Sequence, residues 1–515
     1  MIHRWFPNNA GSNAHWLSRK TSVVAIAIAL LGLACLTMFR PVSGMTFWPE
    51  VKEWLLPAEA PTGFDNQTNG FEPQAKFDED LIAFNEMEEI KDGLGPIYNA
   101  QSCGSCHQNP VSGSASQIAE IRAGHRDPDP SSPPLTKGVV KFSESIGGSV
   151  IQQRAINPLI QERVLPEDTI RTLRMSTNIL GNGFVEMLTD EQLIAVRDAQ
   201  PEPMRGLGIV VKSVIMPIKD ANGKDTFLFK ERIGRFGWKC QESSLLNFAS
   251  GAYLNEMGIT SPMEPTELKS NGRDVSSFDT VSDPEDSTTD PMTPMDIHPF
   301  GVDVEAFTRF MRATKAPPRD ATCKDTPDVM AGEKIFGKIG CAVCHNPSFT
   351  TEPAGTDIKN LVGERGSDIE KIPAALGGMT FHPYSDFLLH DIGTGDGIAQ
   401  TQHADFPPKG SEDTKSLPPE ILKEKKLTRV KATPERGERR VVEAEQEIDQ
   451  RTANMIRTAP LWGLRTRPEL MHDGLALTID EAIRRHKGQA EAPELYYERL
   501  SADERRQLLA FLMSL

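Results

Sequence analysis

The sequence predicts a mainly α-helical protein of two domains, with long loops and one small β-hairpin. Apolar residues recur at helix-like spacing in three segments, 115–126, 160–175 and 188–199. Two runs rich in β-branched and aromatic residues, 207–217 and 226–229, flank the turn signal Asn222-Gly223 and predict the hairpin. A Cys-x-x-Cys-His motif occurs twice, which predicts one domain around each copy.

The N-terminal region carries an export signal. Ser22 to Phe39 form an apolar run that follows Arg19 and Lys20. The run is intermediate between a signal-peptide core of about 7–15 residues and a spanning helix of about 20 residues. Residues 1–45 are therefore predicted to be a signal peptide or, preferably, a retained anchor. The protein is expected to be periplasmic or extracytoplasmic, tethered to the inner membrane through residues 22–39.

The charge balance argues against nucleic-acid binding. The 515 residues include 72 Asp or Glu and 56 Lys or Arg, which gives a formal net charge of -16. Surfaces that bind nucleic acids are basic because they neutralise phosphates. No nucleic-acid partner is expected, whereas a cationic protein partner fits this charge.

Changes in composition place the domain boundaries. Residues 46–325 are predicted to form the first domain, with a surface loop rich in Ser, Thr, Asp and Pro at 262–299. Residues 326–515 form the second domain, and the KEKK and ERGERR blocks mark 408–450 as a solvated excursion. Amphipathic patterns at 479–487 and 502–515 predict the helices that close it.

Each Cys-x-x-Cys-His motif predicts a covalently attached haem. Two thiols three residues apart can bond the two vinyl groups of one porphyrin, and the adjacent imidazole ligates the iron. Zinc binding would need two close pairs of ligands, which the distance between the motifs does not provide. The attachment residues are Cys103, Cys106 and His107 for the first c-type haem and Cys341, Cys344 and His345 for the second.

Two further cysteines, Cys240 and Cys323, either pair in an oxidising compartment or remain independent thiols. With one attached haem each, the two domains are predicted to be cytochrome c-like.

The second axial ligand of each iron decides what the haem can do. His125 follows the first motif and is the candidate ligand there. For the second haem the sequence offers five candidates: His382, His390, Met471, His472 and His486. Met471 fits the common His/Met ligation, whereas His486 lies on the apolar side of a predicted helix; the sequence alone does not separate these two.

Four stretches resemble the di-haem oxidoreductase family of peroxidase-like proteins. They are GLGPIYNAQSCGSCH, GRFGWKCQESSLLNFASGAYLNEMGIT, YSDFLLHDIGTGDG and RTAPLWGLRTRPELMHDGLALTIDEAIRRHKGQA. The resemblance covers most of residues 85–515 and extends distantly to the bacterial di-haem cytochrome c peroxidases. In those peroxidases a distal ligand follows a C-terminal histidine motif by fourteen positions. Matching that motif to Met471-His472-Asp473-Gly474 implies His486 as the ligand, where the peroxidases usually have methionine.

The same resemblance implies catalytic residues. Trp238 matches a tryptophan between the two haems, and Glu256 matches a carboxylate at the peroxide pocket. Peroxide cleavage needs a carboxylate near the iron to move a proton, so Glu256 is the first candidate and Glu186 the second. Trp238 as a core aromatic and Glu256 as a helix charge are the structural alternatives.

The resulting hypothesis is an oxidoreductase that passes electrons between two haems to reduce a small oxidant such as hydrogen peroxide. An external donor, a small cytochrome or cupredoxin, supplies the electrons, and His125 has to leave the first iron before peroxide binds. The alternatives are a non-catalytic electron-transfer cytochrome and a radical oxidant of a partner protein. A calcium ion at the domain interface is left open.

Overall fold

The computed structural model describes residues 57–128, 140–146, 148–219, 223, 225–290, 293–358, 371–399, 404–405 and 450–515. The predicted export segment at 22–39 and nearly all of the charged excursion at 408–450 lie outside these residues. Within them, no helix has the length and apolar character that crossing a membrane requires.

Helices of about one to three turns form much of the described chain, and several begin where side chains cap them. They are α1 (Gln74–Asn85), α2 (Asn182–Glu186), α3 (Asp190–Ala199), α4 (Leu245–Ala252), α5 (Val302–Ala313), α6 (Pro327–Lys338), α7 (Ile479–Arg484), α8 (Glu491–Glu498) and α9 (Ala502–Met513). Capping boxes start α3 at Thr189, α7 at Thr478 and α9 at Ser501. The helices predicted at 188–199, 479–487 and 502–515 are confirmed.

Several small sheets accompany the helices. Their strands are β1 (Ala58–Glu59), β2 (Ile97–Tyr98), β3 (Ala119–Pro128), β4 (Val140–Glu144), β5 (Val150–Ile151), β6 (Arg154–Ala155), β7 (Ile170–Met175), β8 (Ile209–Lys219), β9 (Asp225–Ile233), β10 (Phe349–Thr350), β11 (Met379–Phe381), β12 (Leu389–Asp391), β13 (Ala404–Asp405) and β14 (Met455–Arg457). The described fold is therefore helical with more β structure than the single predicted hairpin.

The predicted hairpin is present as β8 and β9. The two strands pair antiparallel from Val210 opposite Ile233 to Lys219 opposite Asp225, with an irregularity between Val214 and Met216. β13 adds to the outer edge of β8. The β-branched pattern identified this element because a pleated, half-buried surface suits those side chains.

Two helix predictions are wrong. Segment 115–126 contains β3 and segment 160–175 contains β7, and these two strands pair antiparallel over six residues of each. β4 and β5 also pair with β3. Apolar and polar residues alternate along the first part of β3. This period of two also makes residues four positions apart apolar, which matches part of a helical spacing pattern. Tertiary pairing on both sides of β3 decided the outcome.

The described residues from Pro57 to Leu515 form one compact unit with two main cores. In the larger core, α1 packs against α5 through Phe84 and Phe310, whose ring centroids are 4.5 Å apart. The smaller core joins α6 to α9 through Phe336 and Phe511. The domain boundary at 325/326 stays a prediction. Trp462, which lies after that boundary in the chain, belongs to the larger core.

Candidate functional site

The first Cys-x-x-Cys-His motif opens into a cavity of about 530 Å³. Residues Cys103–Ser105 form a 3-10 turn whose start is capped by Ser102, which accepts the Ser105 N–H. This turn brings Cys103, Cys106 and His107 to the cavity wall. Burial lowers the pKa of His107 to about 4, so its imidazole is neutral, which is the form that ligates metals.

The second motif lines a separate cavity of about 190 Å³. A 3-10 turn, Cys341–Val343, follows α6 after Gly340, whose φ of 97° favours glycine. His345 Nδ1 lies 2.9 Å from the Tyr384 carbonyl oxygen. Because a carbonyl only accepts, Nδ1 carries the proton and Nε2 keeps its lone pair.

His486 faces His345 across this second cavity. Its Nδ1 lies 2.7 Å from the Ala482 carbonyl oxygen, so its Nε2 is also free to act as a ligand. His486 sits just beyond the end of α7. Burial lowers the pKa of both rings, that of His345 to about 4. The two ring centroids are 6.4 Å apart.

Met471, the other predicted ligand, also lines the second cavity. Its φ of 70° places it in the left-handed region at a tight turn, beside the neighbouring Asp473–Arg485 ion pair. Its side chain packs against the smaller core.

Trp238 lies in the wall between the two cavities. It lines both of them, together with Met175, Ser176 and Thr177. The indole Nε1 donates to the Met175 carbonyl oxygen at 2.8 Å, and the Met175 N–H donates to the His472 carbonyl at 2.7 Å. The Trp238 and His472 rings are 6.2 Å apart. Trp238 thus lies between the cavities of the two motifs, and its role in turnover stays a prediction.

Glu256 lines the first cavity, in the π-helical turn Tyr253–Met257 that follows α4. Asn99 Nδ2 donates to its Oε2 at 2.9 Å. Glu120 on β3 also lines the cavity and accepts from Arg122 Nε at 2.7 Å. Burial and the neighbouring Glu120 raise the pKa of Glu256 well above its usual range, whereas Arg122, overcoming burial, lowers that of Glu120.

Three predicted residues do not reach either cavity: Glu186, His125 and the candidate ligand His382, whose Nε2 lies 3.0 Å from Glu59 Oε2. Glu186 is buried, and both its carboxylate oxygens accept from Arg312, at 2.7 and 3.2 Å. It also accepts the Leu245 N–H at the start of α4, so it ties two helices together. His125 lies on β3, with Nδ1 3.2 Å from Asp168 and Nε2 3.2 Å from Asp127.

The sequence analysis did not identify Glu120, Arg122 or Asn99 as residues of a cavity, and it considered His390 only as an iron ligand. Glu120 and Arg122 are two residues apart, so a strand presents them on one face, a signal hidden by the helix prediction. His390 lines the second cavity, and its Nε2 lies 2.8 Å from Asp386 Oδ2.

Cys240 and Cys323 are both free thiols. Cys240 is buried, and its Sγ lies 3.3 Å from the Phe387 carbonyl oxygen. Of the two alternatives left open by the sequence, the structure contains independent thiols.

Comparison with known proteins identifies the family. A family model described as "Di-haem oxidoreductase, putative peroxidase" matches residues 129–418 and 441–515. The chain belongs to the di-haem oxidoreductase family. Membership implies oxidoreductase chemistry and two haem cofactors. The second motif lies within the matched residues, and the first motif precedes them.

Solved structures give weaker likenesses. Hydrazine synthase of Kuenenia stuttgartiensis is 15% identical with a TM-score of 0.34, covering 93% of this chain and 98% of that chain. A MauG-like protein associated with microbial copper homeostasis is 15% identical with a TM-score of 0.21, covering 43% of this chain and 54% of that chain. Both TM-scores are too low to support a structural argument. No curated protein matches the chain.

The residues of both cavities fit the haems of a di-haem oxidoreductase. Two imidazoles that share one metal ion at about 2.0 Å each have ring centroids roughly 6 Å apart, and the spacing of His345 and His486 is 6.4 Å. Arg457 and Arg467 line the second cavity, where carboxylates of a haem would meet them. Arg467 Nε is buried without a hydrogen-bond partner among the described residues.

Proposed function

We propose that this di-haem oxidoreductase is a peroxidase of the cell envelope that reduces hydrogen peroxide with electrons from an external protein donor. Cys103 and Cys106 hold one c-type haem and Cys341 and Cys344 hold the other. The difference between the two cavities is the observation that carries the proposal.

The second cavity supplies two histidines to one iron, and the first supplies one. Among the described residues that line the first cavity, His107 is the sole histidine. A haem iron held by His107 would find no second imidazole among the described residues of its cavity, where Met175, Met257 and Met311 are the other side chains of a type that ligates haem iron, whereas an iron held by His345 would find His486. We infer that the first site is the one open to substrate. A pure electron carrier would need a protein ligand on every face. Since His125 does not line the cavity, no loop has to move it away before peroxide enters.

The chain's own residues handle the protons of the reaction. Reduction of one hydrogen peroxide to two waters consumes two electrons and two protons. The haems, when bound, supply storage for the electrons. Glu256 lies in the first cavity with Asn99 fixing one carboxyl oxygen, so it can give a proton to the leaving oxygen.

Trp238 connects the two sites. It is in the shared wall, and its hydrogen bond to Met175 fixes the plane of the indole. Electrons from a small cytochrome or cupredoxin would enter at the second site, and Trp238 lies between that site and the first. In this proposal His107, His345 and His486 would ligate the irons, and Glu256 and Trp238 would act in turnover.

The proposal is tested by mixing half-reduced protein with one equivalent of hydrogen peroxide. Optical and electron paramagnetic resonance spectra should show one high-spin site that changes on mixing and one six-coordinate site that is oxidised afterwards. With excess reduced donor present, two electrons should be consumed per peroxide, since the half-reduced protein itself stores only one. The matched control is the same protein with excess cyanide, which occupies an open iron and should suppress the reaction.

Two six-coordinate low-spin sites with no response to peroxide would favour the electron-carrier alternative instead. Consumption of only one electron per peroxide, with oxidation appearing on an added protein, would favour the radical oxidation of a partner.

A further inference from the structure

Two carboxyl groups meet inside the first cavity. Glu256 comes from the turn after α4, and Glu120 comes from the middle of the sheet, on β3. Both side chains line the wall of this cavity and interact electrostatically with each other. An ionised carboxylate has acceptor atoms and no donor hydrogen. Two neighbouring carboxyl groups avoid their mutual repulsion when one of them carries a proton, which can then bridge them.

The surroundings of the two groups differ, and this decides where the proton resides. Arg122 Nε donates to Glu120 Oε1 at 2.7 Å, and the charge of Arg174 also favours ionised Glu120. Glu256 has a neutral donor, Asn99, at 2.9 Å. The charged arginines stabilise an anion on Glu120, so the proton stays on Glu256.

A protonated Glu256 on its own presents a difficulty for the proposed function. Such a group can donate a proton to the leaving oxygen of peroxide, but it cannot first accept one from the other oxygen. A second, ionised carboxylate in contact with it removes this difficulty, because the pair then contains an acid and a base at the same time.

We propose that Glu120 is a positioning residue for peroxide reduction, an anion anchored by Arg122 that shares a single proton with Glu256 and makes Glu256 the acid of the pair. This inference rests on the proposed function. As the O–O bond breaks, Glu256 gives its proton to the leaving oxygen, which departs as water. The pair takes up the proton of the other oxygen, so it begins and ends with one proton. The donor supplies both electrons, and two protons from solvent turn the other oxygen into the second water.

The test is an infrared pH titration of the purified di-haem protein without peroxide. A protonated buried carboxyl shows a carbonyl band that is distinct from the carboxylate bands. Burial also raises the pKa of Glu88, Glu242 and Glu267 to about 8, so the Glu256 component is read from the difference between the wild-type and Glu256→Gln spectra, where it should be present at neutral pH. Glu120→Gln removes the neighbouring negative charge, so the midpoint at which Glu256 ionises should fall by about 1–3 pH units. Arg122→Gln should move the midpoint in the opposite direction.

Glu191→Gln is the matched control, because Glu191 is an exposed carboxylate in the first turn of α3. It should leave the band and its midpoint unchanged. The charged groups that face the pair are Arg122, Arg174 and, beyond Cys106, Arg154. None of them is altered in the control.

An unchanged midpoint in Glu120→Gln would overturn the inference, as would a band that survives in Glu256→Gln and disappears in Glu120→Gln. If Glu120→Gln does not fold, the direction of the shift in Arg122→Gln decides. Because no peroxide is present, a normal titration in a protein that never reduces peroxide would reject the proposed function and leave the shared proton in place.

Discussion

The two cavities begin with the same Cys-x-x-Cys-His motif and differ in what lies opposite it. The first, about 530 Å³, contains one histidine and a pair of carboxyl groups. The second, about 190 Å³, contains two facing histidines and the cations of Arg457 and Arg467. On the proposed function, the motif fixes where a haem is attached, while the opposing residues determine whether the site can react or only exchange electrons.

The electrostatics of the cavities differ in the same sense. Glu256 and Glu120 give the first cavity groups that move protons, which peroxide reduction requires. The second cavity has Arg457, Arg467 and His390. Their positive charges suit the carboxylates of a cofactor and give this cavity a fixed charge state. Trp238 belongs to both walls, so the two environments are separated by a single layer of side chains.

The largest effect is expected from Glu256→Gln, which keeps the shape of the first cavity and removes its acid. Turnover of peroxide should fall by about 10²–10⁴-fold, the usual contribution of general acid–base catalysis. The spectrum of the second haem should not change. Stopped-flow kinetics with Glu191→Gln as control measure the ratio. Unchanged turnover would mean that the carboxyl pair does not distinguish the first cavity.

The second prediction concerns Glu186, the predicted catalytic residue that the structure places outside both cavities. Its partner Arg312 is 2% exposed, so Glu186→Met removes the carboxylate that faces a buried cation. Removing one partner of such a pair costs about 3–5 kcal/mol. Urea unfolding should show this loss, whereas turnover per folded molecule should stay close to that of the wild type.

A double variant provides the control. In Glu186→Met/Arg312→Met both charges are absent, so much of the stability should return. If Glu186→Met instead abolishes turnover at unchanged stability, Glu186 has a catalytic role and the first cavity extends further than the structure shows.

The hairpin and the terminal helices could be predicted from the sequence, because each depends on local spacing or on a cap; the haem-attachment residues, which also follow from local spacing, stay a prediction. The pairing of β3 with three other strands could not be predicted, since it joins residues far apart in the chain. With β3 read as a helix, Glu120 and Arg122 had no reason to face one cavity, and His125 was expected near the iron.

The placement of Trp238 and Glu256 came from the resemblance rather than from residue patterns. A tryptophan that follows glycine and a glutamate near the end of a helix are common in any core. Their position in the cavities depends on contacts between α4, β7 and the loop at His472, and these contacts have no local signature. The choice between Met471 and His486 likewise needed the distance across the second cavity.

The third prediction tests the second cavity. His486→Met should raise the reduction potential of the second haem, within the roughly 0.8 V range that axial ligands span, because methionine stabilises the reduced iron. The first haem should keep its spectrum. Met471→Leu is the control and should leave both potentials unchanged. A high-spin second haem in Met471→Leu, with no change in His486→Met, would assign Met471 as the ligand.

The smallest effect concerns the charge of His390 at the rim of the second cavity. Burial lowers its pKa, but Asp386, 2.8 Å from Nε2, outweighs burial and raises the pKa from 6.5 to about 10. A raised pKa adds stability that is fully present below pH 6.5 and is lost as the pH rises through about 10. Asp386→Asn should therefore be less stable than wild type by about 1–3 kcal/mol near neutral pH.

This difference in the free energy of unfolding should shrink steadily as the pH approaches 10, and urea titrations at several pH values measure it. Glu191→Gln again provides the control, since its exposed carboxylate should give no such slope. A difference that stays constant with pH would mean that His390 is neutral. The second cavity would then lack a fixed charge at its rim, and its contrast with the proton-exchanging first cavity would rest on Arg457 and Arg467 alone.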